Sequence, residues 1–326
     1  CSKTYCFMNR IPLLISQFSY LCFPMLQGTK GIIAVLVLIV LTLIWGSSFV
    51  LMKLGMYDAN GNATVSSIHV AGLRISMACL VLLPFAVYFL RKVPSGKLLP
   101  IFGVGFFGNC IPAFLFTASE VNNGISSSLA GMLNATTPIF TVTIGLTVFG
   151  LKLRPVNYLG IVIAFVGAAA LALIPVPGKE QGSSQFIYIL YVLIATFCYG
   201  ISVNLIRYYC AGINPIAIAS ISFMFIGLPV GSWMLTQDVF HGLNENKEIW
   251  ASIGYVAILA VVGTALAVIL FNYLVQITNA VFASTVTYLM PIVALMWGIV
   301  RHEYFTAWYV LAIVVILAGV YLTNKK

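Results

Sequence analysis

The side chains of this chain that could do chemistry are neutral polar groups and aromatic rings set within long apolar segments. They are Trp45, Ser48, Asn109, Phe116, Asn134, Thr137, Tyr199, Asn204, Phe271, Asn272, Thr287 and Tyr288. Neutral hydrogen-bonding groups between aromatic walls are the make-up of a small-molecule site. A single Asn or Thr is equally explained by a hydrogen bond between helices, and a single ring by packing or a place in the membrane interface. Only the set as a whole favours a binding cavity.

Two prolines, Pro138 and Pro291, lie close to the polar residues of this set. A proline inside a helix leaves the carbonyl four residues earlier without its backbone donor and kinks the helix. These carbonyls belong to Asn134 and Thr287, so each kink is expected to hold a free acceptor beside a polar side chain. Within a membrane such backbone is tolerated only inside protein or beside a water-filled cavity. The alternative is that neighbouring helices satisfy the freed carbonyl.

One basic side chain, Arg74, falls inside an apolar segment, about seven residues from the segment's outer end. A charge at that depth is costly and by default suggests a function. Arg74 could anchor a substrate carboxylate, or it could pair with Glu120 or Asp58 to close an outer gate. The alternative is that the long side chain reaches out to the lipid headgroups.

Titratable groups are otherwise missing from the apolar segments. No Asp or Glu falls within any of them, and His69, His241 and His302 lie at or beyond their outer ends. The carboxylate or histidine relay of many proton-driven carriers has no candidate here, which favours facilitated diffusion, exchange or weak coupling at the membrane edge. A serine nucleophile would lack its base, and a metal ion would lack its ligands. We therefore expect no catalytic residue, no metal and no cofactor.

The composition indicates a membrane protein, because 61% of the residues are hydrophobic and 7% charged, against about 45–50% and about 25% in soluble domains. A spanning helix needs about 20 apolar residues. Ten such segments lie near 31–53, 67–90, 98–119, 126–150, 155–175, 185–208, 214–235, 250–276, 280–300 and 305–323. Residues 1–30, an apolar stretch broken by Pro12 and Pro24, are an N-terminal segment of uncertain status that we leave out of the fold.

The charges indicate how these segments are oriented. With a cytoplasmic N-terminus, all seven acidic residues fall in or beside external loops, and eleven of the sixteen basic residues fall on the cytoplasmic side. This positive-inside bias predicts a multi-pass protein of the cytoplasmic membrane with both termini in the cytoplasm. The net charge of +9 is dispersed over short loops, where it can contact anionic lipid. A nucleic-acid partner is therefore not expected.

The two halves of the chain repeat one another. The stretch Trp45–Lys53 aligns with Tyr199–Arg207, 154 positions later, in a pattern of an aromatic residue, Gly, any residue and Ser, ending on a basic residue. Further matched pairs follow in the same order: Pro84 and Pro229, Gly108 and Gly263, Phe116 and Phe271, Pro138 and Pro291, and Gly167 and Gly319. Each half holds five segments, an odd number, so the second half must enter the membrane from the opposite side. This predicts two inverted five-helix repeats, residues 31–175 and 185–326, with a site at their interface.

Several of these residues together resemble the drug/metabolite transporter superfamily, in its EamA-type permeases, over residues 30–326. They are the stretch Trp-Gly-Ser-Ser-Phe at 45–49 with Lys53 after it, Arg74, the Pro138 segment, and the glycine-rich fifth and tenth segments. The resemblance implies ten helices with both ends cytoplasmic. It also implies a central cavity lined by helices one, three, four, six, eight and nine, and export or exchange of small metabolites.

The chain departs from that family at one place. Members often carry an acidic residue after the fourth and the ninth helices, whereas this chain has Glu303 after the ninth but Lys152 and Arg154 after the fourth. The first repeat is therefore expected to close its end differently.

We accordingly expect an all-α carrier, monomeric or weakly dimeric, that sits in the lipid bilayer and moves small solutes outward by alternating access. The expected solutes are uncharged, zwitterionic or moderately apolar, such as amino acids. One alternative is a membrane scaffold or receptor that transports nothing, which would need no cavity and would leave the repeat unexplained. The other alternative is an intramembrane enzyme.

Overall fold

The computed structural model describes residues 29–58, 61–121, 124–150, 154–174, 183–237, 247–278, 282–283, 286–301 and 306–324. Within these ranges the secondary structure is helical, apart from one isolated bridge between Tyr57 and Ala63. The expectations for the segment before residue 29, and those for His241, His302, Glu303 and Lys152, lie outside the described residues.

Ten helices occupy the positions of the ten apolar segments. They are α1 (Thr29–Met56), α2 (Ser67–Leu90), α3 (Ser95–Ser119), α4 (Ser127–Phe149), α5 (Pro155–Leu173), α6 (Ser183–Tyr209), α7 (Pro215–Met234), α8 (Ile249–Ile277), α9 (Val286–Val300) and α10 (Ala307–Asn324). Seven of them, α1–α4 and α6–α8, are long and apolar enough to cross a membrane, whereas α5, α9 and α10 hold shorter apolar stretches. The predicted all-α class is confirmed for the part of the chain that the structure describes.

The ends of the helices follow local sequence signals. The Ser126 hydroxyl accepts a hydrogen bond of 3.1 Å from the backbone N–H of Leu129 at the start of α4. The Asn214 side chain does the same for Ile216 at the start of α7, where Pro215 takes the first helical position, which suits a residue without an N–H. α4 ends at Gly150, whose φ of 65° is the left-handed conformation that favours glycine.

The helices pack in a pattern that repeats between the halves. α1 contacts α8 and α9, while α6 contacts α3 and α4. Three further contacts join α2 to α7, α4 to α9 and α5 to α10. The pattern is unchanged when each helix is exchanged with the helix five places along the chain. The same set of helix contacts therefore recurs in both halves of the described chain.

Glycines allow the closest of these helix contacts, and they too are matched. A Cβ at Gly46 would lie 2.5 Å from Val293 on α9, and a Cβ at Gly200, which is 154 positions later, would lie 2.9 Å from the backbone of Phe140 on α4. Gly167 on α5 likewise packs against Ile316 on α10, at 2.9 Å for the added Cβ. Small residues at such positions let membrane helices approach through van der Waals contact.

The outer surface of the bundle is strongly apolar. Leu80, Val87, Val148 and Trp308 are each more than 60% exposed, and many other large apolar side chains are exposed on the same helices. Soluble monomers rarely expose so many large apolar side chains together. This apolar surface is the one that lipid covers in a membrane protein, so the exposed residues and the apolar helices agree on the environment of the chain.

Candidate functional site

A cavity lies at the centre of the bundle, between the two halves. Its volume is about 900 Å³, including the part that opens to solvent. Its walls come from α1, α3, α4, α6, α8 and α9, and α2 contributes Arg74. Eleven of the predicted site residues line it: Trp45, Ser48, Arg74, Asn109, Phe116, Asn134, Thr137, Tyr199, Phe271, Asn272 and Thr287.

Two predicted residues, Asn204 and Tyr288, are not among the lining side chains. Asn204 is buried, and its amide donates hydrogen bonds of 2.9 Å to the Thr141 carbonyl and 2.8 Å to the Gly200 carbonyl. It therefore ties α6 to α4, which is the alternative interpretation given above for a single Asn. Tyr288 is buried among apolar side chains of the core.

Two aromatic pairs contribute to the wall of the cavity. The rings of Trp45 and Phe271 have their centroids 5.2 Å apart, and those of Phe116 and Tyr199 have theirs 5.9 Å apart. In the sequence repeat, Trp45 matches Tyr199 and Phe116 matches Phe271. The first pair thus joins α1 to α8, and the second joins α6 to α3. The two pairs are equivalent under the repeat.

Sixteen of the 21 lining residues obey the same relation, whereas Arg74, Val104, Asn109, Val268 and Asn272 do not. The sixteen form eight pairs that lie 153 to 155 positions apart: Trp45 and Tyr199, Ser48 and Ser202, Phe49 and Val203, Met52 and Ile206, Gly108 and Gly263, Phe116 and Phe271, Asn134 and Thr287, and Thr137 and Met290. Arg74 breaks the relation, because the position 145 residues later, by the offset that relates Pro84 to Pro229, is Ala219. The cavity is therefore nearly symmetric in shape and asymmetric in charge.

Arg74 points into the cavity. Its Nε donates a hydrogen bond of 2.7 Å to the Thr264 hydroxyl on α8, and Nη1 approaches the Met52 sulfur at 3.7 Å. Within the described parts of the chain no carboxylate lies at ion-pair distance from the guanidinium. The electrostatic neighbour of Arg74 is Tyr199. Arg74 thus lines the cavity instead of extending to the lipid headgroups.

The expected gate pairs of Arg74 are not formed. Glu120 is completely buried at the end of α3, where its Oε2 accepts a hydrogen bond of 3.0 Å from the Ser127 hydroxyl. Asp58 instead accepts bonds from the backbone and the side chain of Asn62, at 2.7 and 2.9 Å. Each carboxylate therefore accepts a hydrogen bond from a residue within seven positions along the chain, Ser127 at the start of α4 for Glu120 and Asn62 for Asp58.

The free carbonyl predicted beside Pro138 is also corrected. The Asn134 carbonyl accepts a hydrogen bond of 2.8 Å from the Thr137 hydroxyl, within a 3₁₀ turn over Asn134–Thr136 that interrupts α4. The amide of Asn134 reaches across to the Met290 sulfur on α9, at 3.5 Å. Pro291 lies inside α9, and neither proline side chain lines the cavity.

Sequence reasoning missed two π-helical turns. They cover Phe106–Cys110 in α3 and Val261–Leu266 in α8, at matched positions of the two halves. A π turn holds one residue more than an α turn and occurs often at functional sites. The extra residue cannot be detected from apolar periodicity. The matched pair Gly108 and Gly263, one in each turn, was the available signal.

Side chains of the opposite half bind carbonyls in or just before these turns. The Trp45 indole Nε1 donates to the Gly263 carbonyl at 3.1 Å, and the Ser202 hydroxyl donates to the Val104 carbonyl at 3.1 Å. In α8, the carbonyl equivalent to that of Val104 belongs to Leu259, and it accepts from the Thr264 hydroxyl at 2.9 Å. Both π turns are therefore fixed by side-chain donors next to the cavity.

The site holds no residue set suited to a metal. Over the described stretches of the chain, no three His, Cys, Asp or Glu side chains come together. What the arrangement offers is neutral hydrogen-bonding groups, aromatic faces and one guanidinium around a cavity that is partly open to solvent. Such a site can bind a small solute reversibly.

Comparison with known proteins agrees with this architecture. The model of the EamA-like transporter family matches the chain twice, over residues 32–173 and 186–325. The chain belongs to the EamA-like transporter family, and the resemblance to EamA-type permeases is confirmed. It is a membrane transporter built from two copies of the family's repeat.

Individual relatives are distant. The chain is 24% identical over 268 residues, 80% of each chain, to "Uncharacterized inner membrane transporter YedA" of Escherichia coli (strain K12). It is 25% identical over 303 residues to "Probable amino-acid metabolite efflux pump" of Salmonella typhimurium, covering 90% of this chain and 93% of that one. A solved crystal structure shares the fold with a TM-score of 0.58 at 14% identity, over 89% of this chain and 96% of that one.

Proposed function

We propose that this protein is a secondary transporter that exports or exchanges small metabolites such as amino acids by alternating access through the central cavity. The observation that carries the proposal is the composition of the cavity wall. Equivalent residues of the two repeats, Trp45 and Tyr199 foremost, face the same space. A site at the interface of two repeats can be opened to either side by rocking one repeat against the other.

In the proposed topology all ten helices cross the membrane, as two inverted five-helix repeats over residues 31–175 and 185–326. The exchange of helix contacts between the halves supports this arrangement. So does the odd number of helices in each half, which reverses the direction of the second. Both termini then lie in the cytoplasm, and the basic loops face the cytoplasmic leaflet. We place the protein in the cytoplasmic membrane, and reporter fusions at each loop, which show on which side of the membrane the loop lies, test this orientation.

Transport would run by facilitated diffusion or exchange. The lining side chains named above include no carboxylate and no histidine that could carry a proton through the cavity. Amino-acid metabolites are the first solutes to test, because the Salmonella typhimurium relative is described as their probable efflux pump. The proposal makes the protein a carrier instead of an enzyme, and a monomer or weak homodimer in the bilayer.

The deciding experiment is a solute screen in proteoliposomes. Purified protein is reconstituted, loaded with a panel of amino acids and related metabolites, and efflux and counterflow are measured against protein-free vesicles. We expect efflux of at least one solute, accelerated by unlabelled solute on the opposite side. A protein that folds correctly and moves none of the panel would favour the scaffold alternative.

A further inference from the structure

The lining of the cavity carries a single charged side chain among the residues that the structure describes, and that side chain is Arg74. No carboxylate of the described chain forms an ion pair with Arg74, and its hydrogen-bond partners are the Thr264 hydroxyl and the Met52 sulfur. A guanidinium has five N–H donors, so most of its planar fork remains available. A half-buried cation without a counter-charge is costly, and an anion that enters the cavity reduces this cost.

The surroundings of Arg74 restrict what else that anion can carry. Tyr199, its electrostatic neighbour, stacks on Phe116, and the second aromatic wall, Trp45 and Phe271, belongs to the same cavity. An apolar or aromatic body therefore fits beside the guanidinium. A second charge on the solute, and above all an ammonium group, would meet the field of Arg74 with only neutral acceptors to bind it.

We infer that the cavity selects solutes that carry one carboxylate on an apolar or aromatic body, and that Arg74 is the residue that binds the carboxylate. The inference rests on the proposed function, because it takes the central cavity as the place where the transported solute sits. It predicts the order monoanion, then zwitterion, then cation for solutes of the same size and shape. A bidentate contact between guanidinium and carboxylate supplies the preference.

The test uses three probes with one phenylalanine skeleton: N-acetylphenylalanine, phenylalanine and phenylalanine amide. At about pH 6 they are an anion, a zwitterion and a cation. Binding to purified protein in detergent is measured by calorimetry. We expect N-acetylphenylalanine to bind at least roughly tenfold more tightly than the amide, since hydrogen bonds to charged groups are worth about that factor or more.

Variants assign the preference to Arg74. Arg74→Gln should weaken N-acetylphenylalanine binding by roughly tenfold to a hundredfold and remove the order among the probes. Arg74→Lys should keep the order but bind the anion less tightly than the wild type, because the ammonium lacks the planar fork. Lys92→Gln is the matched control, because it removes a cation that lies over the exposed Tyr88 ring, away from the cavity. It should leave the order unchanged.

Three outcomes would overturn the inference: equal affinities for the three probes, failure of the anion to bind, or the same order in Arg74→Gln as in the wild type. If Arg74→Gln does not give a monodisperse protein, Arg74→Lys decides, because unchanged anion affinity would exclude a bidentate contact. The proposed function fails separately. If the anion binds but no probe crosses the membrane of proteoliposomes, the carboxylate site stands and the proposed transport function is wrong. If all three probes are transported equally, the transport function stands and the carboxylate site is wrong.

Discussion

The indole of Trp45 donates a hydrogen bond of 3.1 Å to the carbonyl of Gly263, which lies in the π-helical turn of α8. The first helix of one half is thereby joined to the irregular turn of the other half. Ser202 makes a second contact between the halves when it donates to the Val104 carbonyl, just before the π turn of α3. Two contacts thus connect the repeats at the wall of the cavity, although they are not equivalent, because Ser202 matches Ser48 and not Trp45.

Removing the indole donor should weaken this connection. In Trp45→Phe the Gly263 carbonyl loses its partner, so we expect the free energy of unfolding to fall by about 1 kcal/mol. Thermal unfolding in detergent measures the change. Trp308→Phe is the control, because Trp308 is 64% exposed on the outer surface. Equal melting temperatures for both variants and the wild type would show that the bond contributes nothing to stability.

The glycine of the π turn in α3 should not tolerate a side chain. A Cβ at Gly108 would lie 2.9 Å from the Ser202 Cβ, so Gly108→Ala should destabilise the protein by about 1–3 kcal/mol through overpacking. Adding Ser202→Gly should restore part of that loss. Gly254→Ala in α8 is the control, because nothing lies within 4 Å of its added Cβ. If Gly108→Ala melts no lower than Gly254→Ala, the packing argument is wrong.

The polar lining should matter for transport more than for folding. We expect Asn134→Leu and Tyr199→Ala to abolish transport while the amount of protein in the membrane stays near wild type. Asn204→Leu should behave differently, because Asn204 joins α6 to α4 and lies outside the cavity lining. Its loss should reduce abundance and stability first. Quantitative blots measure the loss of protein, and efflux from vesicles measures the loss of transport. Normal transport by Asn134→Leu and Tyr199→Ala would show that Asn134 and Tyr199 serve packing only.

Transport should depend little on an imposed pH difference. The reason is that the lining residues of the described chain include no acidic group or histidine, and a guanidinium does not release its proton in proteins. Efflux from proteoliposomes should have the same rate with and without a pH gradient. This prediction would be wrong if the solute accumulated against its gradient and the accumulation were lost when the pH gradient is dissipated. The Glu120→Gln variant would then test whether the buried carboxylate at the end of α3 carries the proton.

The thiol of Cys210, just after α6, should be unreactive. Burial raises the pKa of Cys210 to about 11, although nearby Lys97 lowers it in part. At pH 8 roughly one thiol in a thousand is the reactive thiolate. The raised pKa means that the folded state holds the thiol proton more tightly than the unfolded state does. The contribution of Cys210 to the free energy of unfolding is therefore fully present below the pKa of the thiol in the unfolded chain, and it is lost as the pH rises toward 11. Peptide mapping after maleimide treatment should find Cys210 unmodified at pH 7, and rapid labelling there would contradict its burial.

The helices and most of the cavity residues could be predicted from the sequence, because apolar length and the internal repeat are strong signals. The faces of individual helices were harder to assign. Ser202 and Asn204 are two positions apart, about 200° around a helix, so they cannot both face the cavity. Only Ser202 does. The polar type of Asn204 could not reveal that it binds backbone carbonyls of its own helix and of α4.

The partners of Arg74 and Asn134 depend on tertiary structure and could not be deduced. Thr264 and Arg74 are 190 residues apart, and they meet because α2 packs against α8. Nothing in the local sequence indicated that the Asn134 carbonyl would accept the Thr137 hydroxyl, since proline geometry alone leaves that carbonyl free. The sequence thus predicts which residues lie around the cavity, but it does not predict which of their atoms form hydrogen bonds with one another.

The position of Arg74, with Ala219 at the equivalent place, has an energetic consequence for the proposed alternating access. If the repeats were identical, the inward-facing and outward-facing states would be related by exchange of the halves and would have equal free energies. A single guanidinium bonded to Thr264 on α8, with Ala219 at the equivalent place on α7, would make the two states unequal. The empty carrier would then have a preferred resting orientation, and a bound solute would change the two populations only by the difference between its affinities for the two states.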